Sequence, residues 1–223
     1  MPIFTRTINL IGEKNFEKLQ KSHVMIFGCG GVGSYAVEAI ARAGVGEITV
    51  IDSKTVGVSN INRQLVAYNS TVGKNKVDVE KERIADINPD CVVNTVTEFF
   101  DENSSLSLDC DYIVDAIDSV PSKIFLVQKA MEKGIPVISS MGTGNKMCPE
   151  MLEISDISKT SVCPLAKKMR LELRKKGIKH LKVVYSKEIP VVKCIPPASN
   201  SFVPAAAGLL LASVVVRDLI EKD

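Results

Sequence analysis

Apolar residues in this chain of 223 fall into short unbroken runs, separated by stretches with helical spacing. Val24-Met25-Ile26-Phe27 is closed by Gly28 and reads as a strand buried on both faces. Residues 35–43 then place Ala36, Val37, Ile40 and Ala43 on one helical face. Further strands are predicted at 47–52, 92–97, 112–118 and 135–140. Between them, Val77, Ile84 and Ile87 mark a helix that starts at Gly73 and stops before Asn88-Pro89. Another runs over 121–133, opened by Pro121 and closed by Gly134. This alternation predicts an α/β fold, a doubly wound, mostly parallel Rossmann-like sheet with helices on both faces. A polar helical lead-in at 4–21 offers Ile8, Ile11, Phe16 and Leu19 for docking on the body.

Beyond residue 140 the pattern changes. Strands are predicted at 151–154 and 182–185, with a basic helix at 164–176 between them. A loop with three prolines, 189–200, leads into an apolar helix at 204–220. No repeat or linker divides the chain, so residues 1–223 are expected to form a single domain. Its nucleotide-binding core is 1–140, and 141–223 is a small C-terminal extension. Residues 202–216 carry no charge, but that run is short of the ~20 residues a spanning helix needs. A buried or dimer-facing helix is expected there, and no membrane contact.

Composition narrows the field slightly. Apolar content of 45% and charged content of 24% suit a soluble globular protein, and a net charge of +2 identifies no partner. With no tryptophan and 5% aromatics, no stacking platform for single-stranded nucleic acid is advertised. The six cysteines contain no C-x-x-C pair, which argues against a disulfide framework and a tetrathiolate zinc site. The N-terminus has no signal-peptide pattern, so a cytoplasmic location is expected.

The candidate chemistry begins at Gly28-Cys29-Gly30-Gly31-Val32-Gly33, between the first strand and its helix. Such a turn aims backbone N–H groups and a helix N-terminus at a phosphate. Gly28 suits the tight turn, Gly30 and Gly31 a close backbone approach to a ligand, and Gly33 the packing of helix on strand. Asp52 ends the second strand nineteen residues after Gly33, where a carboxylate accepts hydrogen bonds from ribose hydroxyls or caps a turn. Residues 53–72 are polar and aperiodic, and loops of that length are usually functional. An NAD-dependent oxidoreductase and a non-catalytic nucleotide-binding scaffold both fit the glycine turn and Asp52. An ATP-dependent adenylating enzyme needs more, and the residues for it are present. Arg63 suits β/γ-phosphates, Lys76 suits an α-phosphate as charge develops there, and Asp118 suits a magnesium ion.

Those residues carry a resemblance. The glycine turn, Asp52, Ser59-Asn60-Ile61-Asn62-Arg63-Gln64, Val72-Gly73-Lys74-Asn75-Lys76 and Asp115-Ala116-Ile117-Asp118 together resemble the adenylating superfamily over about residues 4–140. That superfamily includes ubiquitin-activating enzymes and the adenylyltransferases of sulfur-carrier proteins. The resemblance implies ATP and Mg2+ as cofactors, with Asp52 on the ribose and Ser59, Asn60, Arg63, Gln64 and Lys76 at the phosphates. It implies Asp118 as the magnesium ligand beside Ser119, and Arg6 as a residue reaching a partner subunit's ATP in a homodimer. Sulfur-carrier adenylyltransferases usually carry two C-x-x-C pairs, which this chain lacks, and a catalytic-cysteine domain has no room. Arg6-Thr7, Leu10-Ile11-Gly12-Glu13, Asp115 to Ser119, Ser139 to Lys146 and Lys159 to Ala166 are instead similar to the tRNA threonylcarbamoyladenosine dehydratase branch, over essentially the whole chain. Loop 187–203 is shorter than that branch leads one to expect. The resemblance implies ATP-dependent activation of a carboxylate on a tRNA adenosine, followed by ring closure. The alternative it leaves is adenylation of a ubiquitin-like sulfur carrier, and it admits a sulfur-transfer protein as a further partner.

The charge pattern bears on the tRNA. Lys167, Lys168, Arg170, Arg174, Lys175, Lys176, Lys179 and Lys182 are eight of the 28 cations, within a segment holding one acid, Glu172. The remainder of the chain is net acidic, so this segment is the expected contact for a phosphate backbone, the alternative being a merely solvated basic helix.

Overall fold

The computed structural model describes residues 3–221. Among them seven strands form one sheet: β1 (His23–Phe27), β2 (Glu47–Ile51), β3 (Val92–Val96), β4 (Tyr112–Asp115), β5 (Val137–Ser140), β6 (Leu152–Asp156) and β7 (Lys182–Ser186). Their order is β3-β2-β1-β4-β5-β7-β6. All pairings are parallel except that of β6 with β7. The expected doubly wound α/β sheet is present, and the two strands past residue 140 extend it.

The core follows from strand periodicity. Val24 and Ile26 of β1 join Ile48 and Val50 of β2, Val114 of β4 and Ile138 of β5 in one buried cluster. That face is covered by α2 (Glu13–Lys21), α3 (Gly33–Ala43), α4 (Lys76–Ile87) and α7 (Val203–Glu221). Met25, Phe27, Ile113 and Val183 point the other way. Leu126, Val127 and Ala130 of α5 (Val120–Glu132) and Ala166, Met169 and Leu173 of α6 (Pro164–Lys175) cover them. Neighbouring residues of a strand serve opposite faces, so a central strand must be apolar throughout.

Two expectations need correction. The lead-in is two helices, α1 (Thr5–Ile11) and α2, because Gly12 takes φ +83° and breaks the run. The fourth strand ends at Asp115, so Asp118 lies in the loop beyond it. The long polar loop is ordered by two short 3-10 turns, Val58–Asn60 and Asn69–Thr71, and by a bridge between Thr55 and Asn75. The apolar run behaves as expected. α7 alone among the described helices is long and apolar enough to cross a membrane, yet it is a core helix packed chiefly on α3. A Cβ at Gly208 of α7 would come within 2.3 Å of the Val32 carbonyl oxygen, so glycine lets the two helices meet.

Candidate active site

The strand order reverses at β1, whose neighbours are β2 and β4. Loops leaving adjacent strands in opposite directions open a crevice at the carboxyl edge there. A cavity of about 450 Å3 occupies it, within the range of small-molecule sites. Gly28, Gly30, Gly31, Asp52, Asn60, Arg63, Gln64, Lys76 and Asp118 all line this cavity. Sequence reasoning placed these residues together, and the fold brings them to one place.

Gly28 and Gly33 take the conformational and packing roles expected of them, while Gly30 and Gly31 part company. Gly28 has φ +93°, and a Cβ on it would lie 2.7 Å from the Ala116 carbonyl oxygen. The two loops flanking the crevice therefore touch directly at Gly28. At Gly33 a Cβ would fall 1.7 Å from the Gly28 carbonyl oxygen, so α3 packs on the turn itself. A Cβ on Gly31 would meet Pro204 at the start of α7 at 3.2 Å. Only Gly30 of the four faces open space, with nothing within 4 Å.

Asp52 performs one of the two tasks weighed for it, that of a cap. Its Oδ2 accepts from the Cys29 N–H at 2.7 Å and its Oδ1 from the Lys54 N–H at 2.8 Å, which ties β2's end to the glycine turn. It also lines the cavity, and a carboxylate has lone pairs beyond the two these bonds use. Lys76, the first residue of α4, is 4% exposed, with Nζ 3.7 Å from Asp52 Oδ2. Burial confines its charge to the cavity wall. Arg63 is held by the Ser59 carbonyl at 2.8 Å and by Asn62 Oδ1 at 2.9 Å. Ser34 Oγ, in α3, accepts from the Leu65 N–H at 3.1 Å and so fastens this loop to the helix. Gln64 Oε1 is buried without a hydrogen-bond partner among the described residues, an acceptor left for a donor. Ser59 contributes its carbonyl to Arg63 and does not line the cavity. Ser119 likewise stands just before α5, bonded to Ser122, and it is Ser122 that reaches the cavity wall.

Asp118 projects from the β4–α5 loop with 78% of its side chain exposed, and Lys54 Nζ donates to its Oδ2 at 2.9 Å. Partial burial alone would raise its pKa. The Lys54 hydrogen bond and charge outweigh burial and hold the carboxyl below its ordinary value. Beneath this loop lies a network the sequence did not reveal. Lys123 of α5 and Asp115 at the end of β4 have fully buried side chains, with Nζ and Oδ2 3.0 Å apart. Lys123 also donates to the Ile117 carbonyl at 3.2 Å, and Ser139 of β5 donates to Asp115 Oδ2 at 2.5 Å. The Ile117 N–H donates to Asp115 Oδ1 at 3.1 Å.

The cavity extends beyond these residues. Ser140 at the end of β5 and Met141, Gly142, Thr143 and Gly144 after it, with Leu165, Pro197 and Ser199, line its far side. Sequence motifs touched this stretch without assigning it a wall. Cys29 is fully buried, and burial pushes its thiol well up, so it packs as a small apolar group. Arg6, on α1, is exposed and outside the chain's own cavity. On and after α6, Lys167, Lys168, Arg174, Lys175, Lys176 and Lys179 are exposed. Three of the eight predicted cations have partners within the chain, Lys175 among them with Glu172 at 2.8 Å. Arg170 turns inward to the Ile157 and Thr160 carbonyls at 3.2 and 3.0 Å, and Lys182 pairs with Asp218 at 2.6 Å.

Comparison with known proteins agrees with this architecture. The ThiF family model matches residues 4–220. The chain is 43% identical over 240 residues to the tRNA threonylcarbamoyladenosine dehydratase of Bacillus subtilis, covering 98% of this chain and 94% of that one. It is 45% identical over 161 residues to the Haemophilus influenzae protein of the same name, covering 71% and 62%. The solved structure of Escherichia coli TcdA in complex with ATP superposes with a TM-score of 0.92 at 35% identity, covering 97% of this chain and 93% of that chain.

Proposed function

The chain belongs to the ThiF family, and on that premise we propose that it is an ATP-dependent adenylating enzyme that dehydrates threonylcarbamoyladenosine in tRNA. The observation that carries the reading is the convergence of the glycine turn, Asp52, Arg63, Lys76 and Asp118 on one cavity. The B. subtilis relative, aligned over 98% of this chain, supplies the substrate class. ATP lies with its ribose at Asp52 and its phosphates over the first turn of α3, where N–H groups and the helix dipole favour anions. The substrate carboxylate enters from the Ser140–Gly144 side and attacks the α-phosphorus, and pyrophosphate leaves. An internal nucleophile of the threonylcarbamoyl group then attacks the acyl carbon and AMP departs. The net change in the nucleoside is loss of one water. Lys76 and Arg63, fixed before the substrate arrives, offset the charge that develops on the phosphates.

Asp118 fits Mg2+ as its one protein ligand. This ion is commonly held by one or two carboxylates, with phosphates and waters completing its shell. Among the described residues no larger cluster of His, Cys, Asp and Glu competes for it. When bound, Mg2+ supplies positive charge to the triphosphate. The exposed cations of α6 bind the tRNA backbone, and Leu165 at the start of that helix lies at the cavity, so the basic face leads away from the reacting group. Arg6, remote from its own cavity, serves the partner's in a homodimer. The protein works in the cytoplasm.

The test is mass spectrometry of nucleosides from threonylcarbamoyladenosine-containing tRNA after incubation with the protein and ATP. The expected result is loss of one water from the modified nucleoside, with AMP and pyrophosphate formed. An unchanged nucleoside with protein that binds ATP would overturn the assignment.

A further inference from the structure

A lysine at 0% exposure is unusual, and Lys123 is not in contact with the cavity. Its ammonium has two partners, Asp115 Oδ2 at the end of β4 at 3.0 Å and the Ile117 carbonyl on the loop that follows at 3.2 Å. Asp115 in turn takes Ser139 Oγ on the same oxygen and the Ile117 N–H on the other. Strand β4, strand β5 and helix α5 are thereby joined through one carboxylate. Residues 116 and 117 are held from below by both their flanks. Above them, the Ala116 carbonyl packs against Gly28, and one residue beyond Ile117 stands Asp118.

Stability does not explain this arrangement. Taking two charges out of water is costly, and replacing a buried pair by apolar groups of similar volume is often neutral or stabilising. A methionine at 123 facing a neutral residue at 115 would fill the same space at no electrostatic cost. What the charges provide is direction. An ammonium shared between a carboxylate and a carbonyl fixes the loop's path as an apolar contact does not.

We propose that Lys123 is a positioning residue: through Asp115 and the Ile117 carbonyl it sets the path of the 115–118 loop, and so the place of Asp118 relative to the glycine turn. This rests on the adenylation reading. Lys123 touches neither nucleotide nor substrate, so its loss alters the rate of the chemical step more than ATP affinity. Displacements of about 1 Å at a reacting centre cost on the order of a hundredfold in rate.

The test separates positioning from folding. Lys123→Met leaves the Asp115 carboxylate buried and unpaired, and it lowers both melting temperature and turnover. The double variant Asp115→Asn/Lys123→Met buries no charge, and the asparagine carbonyl still accepts from the Ile117 N–H. Its melting temperature returns to that of the wild type, its ATP dissociation constant stays within threefold, and its kcat for AMP formation remains at least tenfold low. Ser139→Ala, which keeps both charges and loosens Asp115, shows the same split to a smaller degree. A double variant with wild-type melting temperature and kcat within threefold of wild type overturns the proposal. So does Ser139→Ala with unchanged kcat, should the double variant not fold. The wild type run beside them reads the parent assignment separately. If it forms no AMP with tRNA, the adenylation reading fails; if it does and the double variant matches it, only the positioning role fails.

Discussion

Gly30 and Gly33 stand three residues apart in one turn, yet the structure gives alanine opposite consequences at the two positions. At Gly30 the φ angle lies outside the left-handed region, and an added methyl meets nothing within 4 Å. Alanine there reduces the freedom of the unfolded chain and stabilises by about 0.4–1 kcal/mol. For a chain of this size that is a rise of about 1–4 °C in Tm. With the phosphates over this turn, as proposed, the same methyl takes space they need and separates them from the turn's N–H groups. One or two hydrogen bonds to a charged group are lost, at about 1.5–3 kcal/mol each, so ATP binds at least about tenfold more weakly. At Gly33 the methyl would sit 1.7 Å from the Gly28 carbonyl oxygen, and Ala116 Cβ at 3.3 Å blocks retreat. Overpacking commonly costs about 1–3 kcal/mol, and more where backbone must yield. A loss of about 3 kcal/mol lowers Tm by about 6–12 °C. Thermal melts without nucleotide, paired with calorimetric titration of ATP, read both axes. Gly30→Ala binding ATP as the wild type does, or Gly33→Ala melting with it, would refute the division of roles.

Asp118→Asn keeps Tm within about 2 °C, since surface changes are usually worth less than about 0.5 kcal/mol, while AMP formation falls at least tenfold; a folded variant with near-wild-type turnover removes Asp118 from the chemistry. Reversing Lys168, Lys175 and Lys176 to Glu weakens tRNA binding and flattens its log–log salt slope by about 0.7–0.9 for each phosphate no longer neutralised; an unchanged slope returns α6 to a merely solvated helix. Burial pushes the Glu80 carboxyl well above its ordinary value, so as pH rises past that ordinary value the unfolded chain releases a proton the folded one keeps, and stability falls by up to about 1.4 kcal/mol per unit. Glu80→Gln escapes this loss, and its advantage in urea unfolding widens from pH 5 to 8; a constant gap would mean Glu80 does not titrate with folding.

The sheet was legible because its central strands are buried on both faces, which forces runs such as Val24 to Phe27 to be apolar without alternation. Gly12 was present in the sequence as a break and still read as helix, since isolated glycines inside helical patterns are tolerated. The cavity residues were legible where each chemical task demands a residue type: glycine for the turn, a cation for phosphate, an acid after a strand. Lys54, Lys123 and Ser139 were not, because their roles come from partners 64, eight and 24 positions away. One signal for Lys123 does exist. It stands three, four and seven residues before Leu126, Val127 and Ala130, on the buried stripe of α5. Glu80 sits the same way between Val77 and Ile84 on α4. A charge on an apolar stripe is the sequence mark of a buried ionisable group.

Those groups are not scattered. Among the described residues the buried Lys, Asp and Glu side chains are Lys76, Glu80, Asp115, Lys123, Lys146 and Glu188. Asp115 ends β4 and pairs with Lys123; Lys146 donates to the carbonyl of Ser186, which ends β7, and Glu188 follows two residues later. Lys76 lies against Asp52, one residue past β2, and its field reaches Glu80 one turn along α4. All six therefore gather at the carboxyl edge of the sheet, while the strand interiors between the helical layers are filled by Val, Ile and Phe. Burying charge opposes folding, so a chain that places it along one edge has concentrated its destabilising groups where the loops converge. Local rules of stability are broken mainly where function requires it. The apolar layers on both faces carry the fold, and that lets the edge hold six ionisable groups away from water without losing the sheet beneath them.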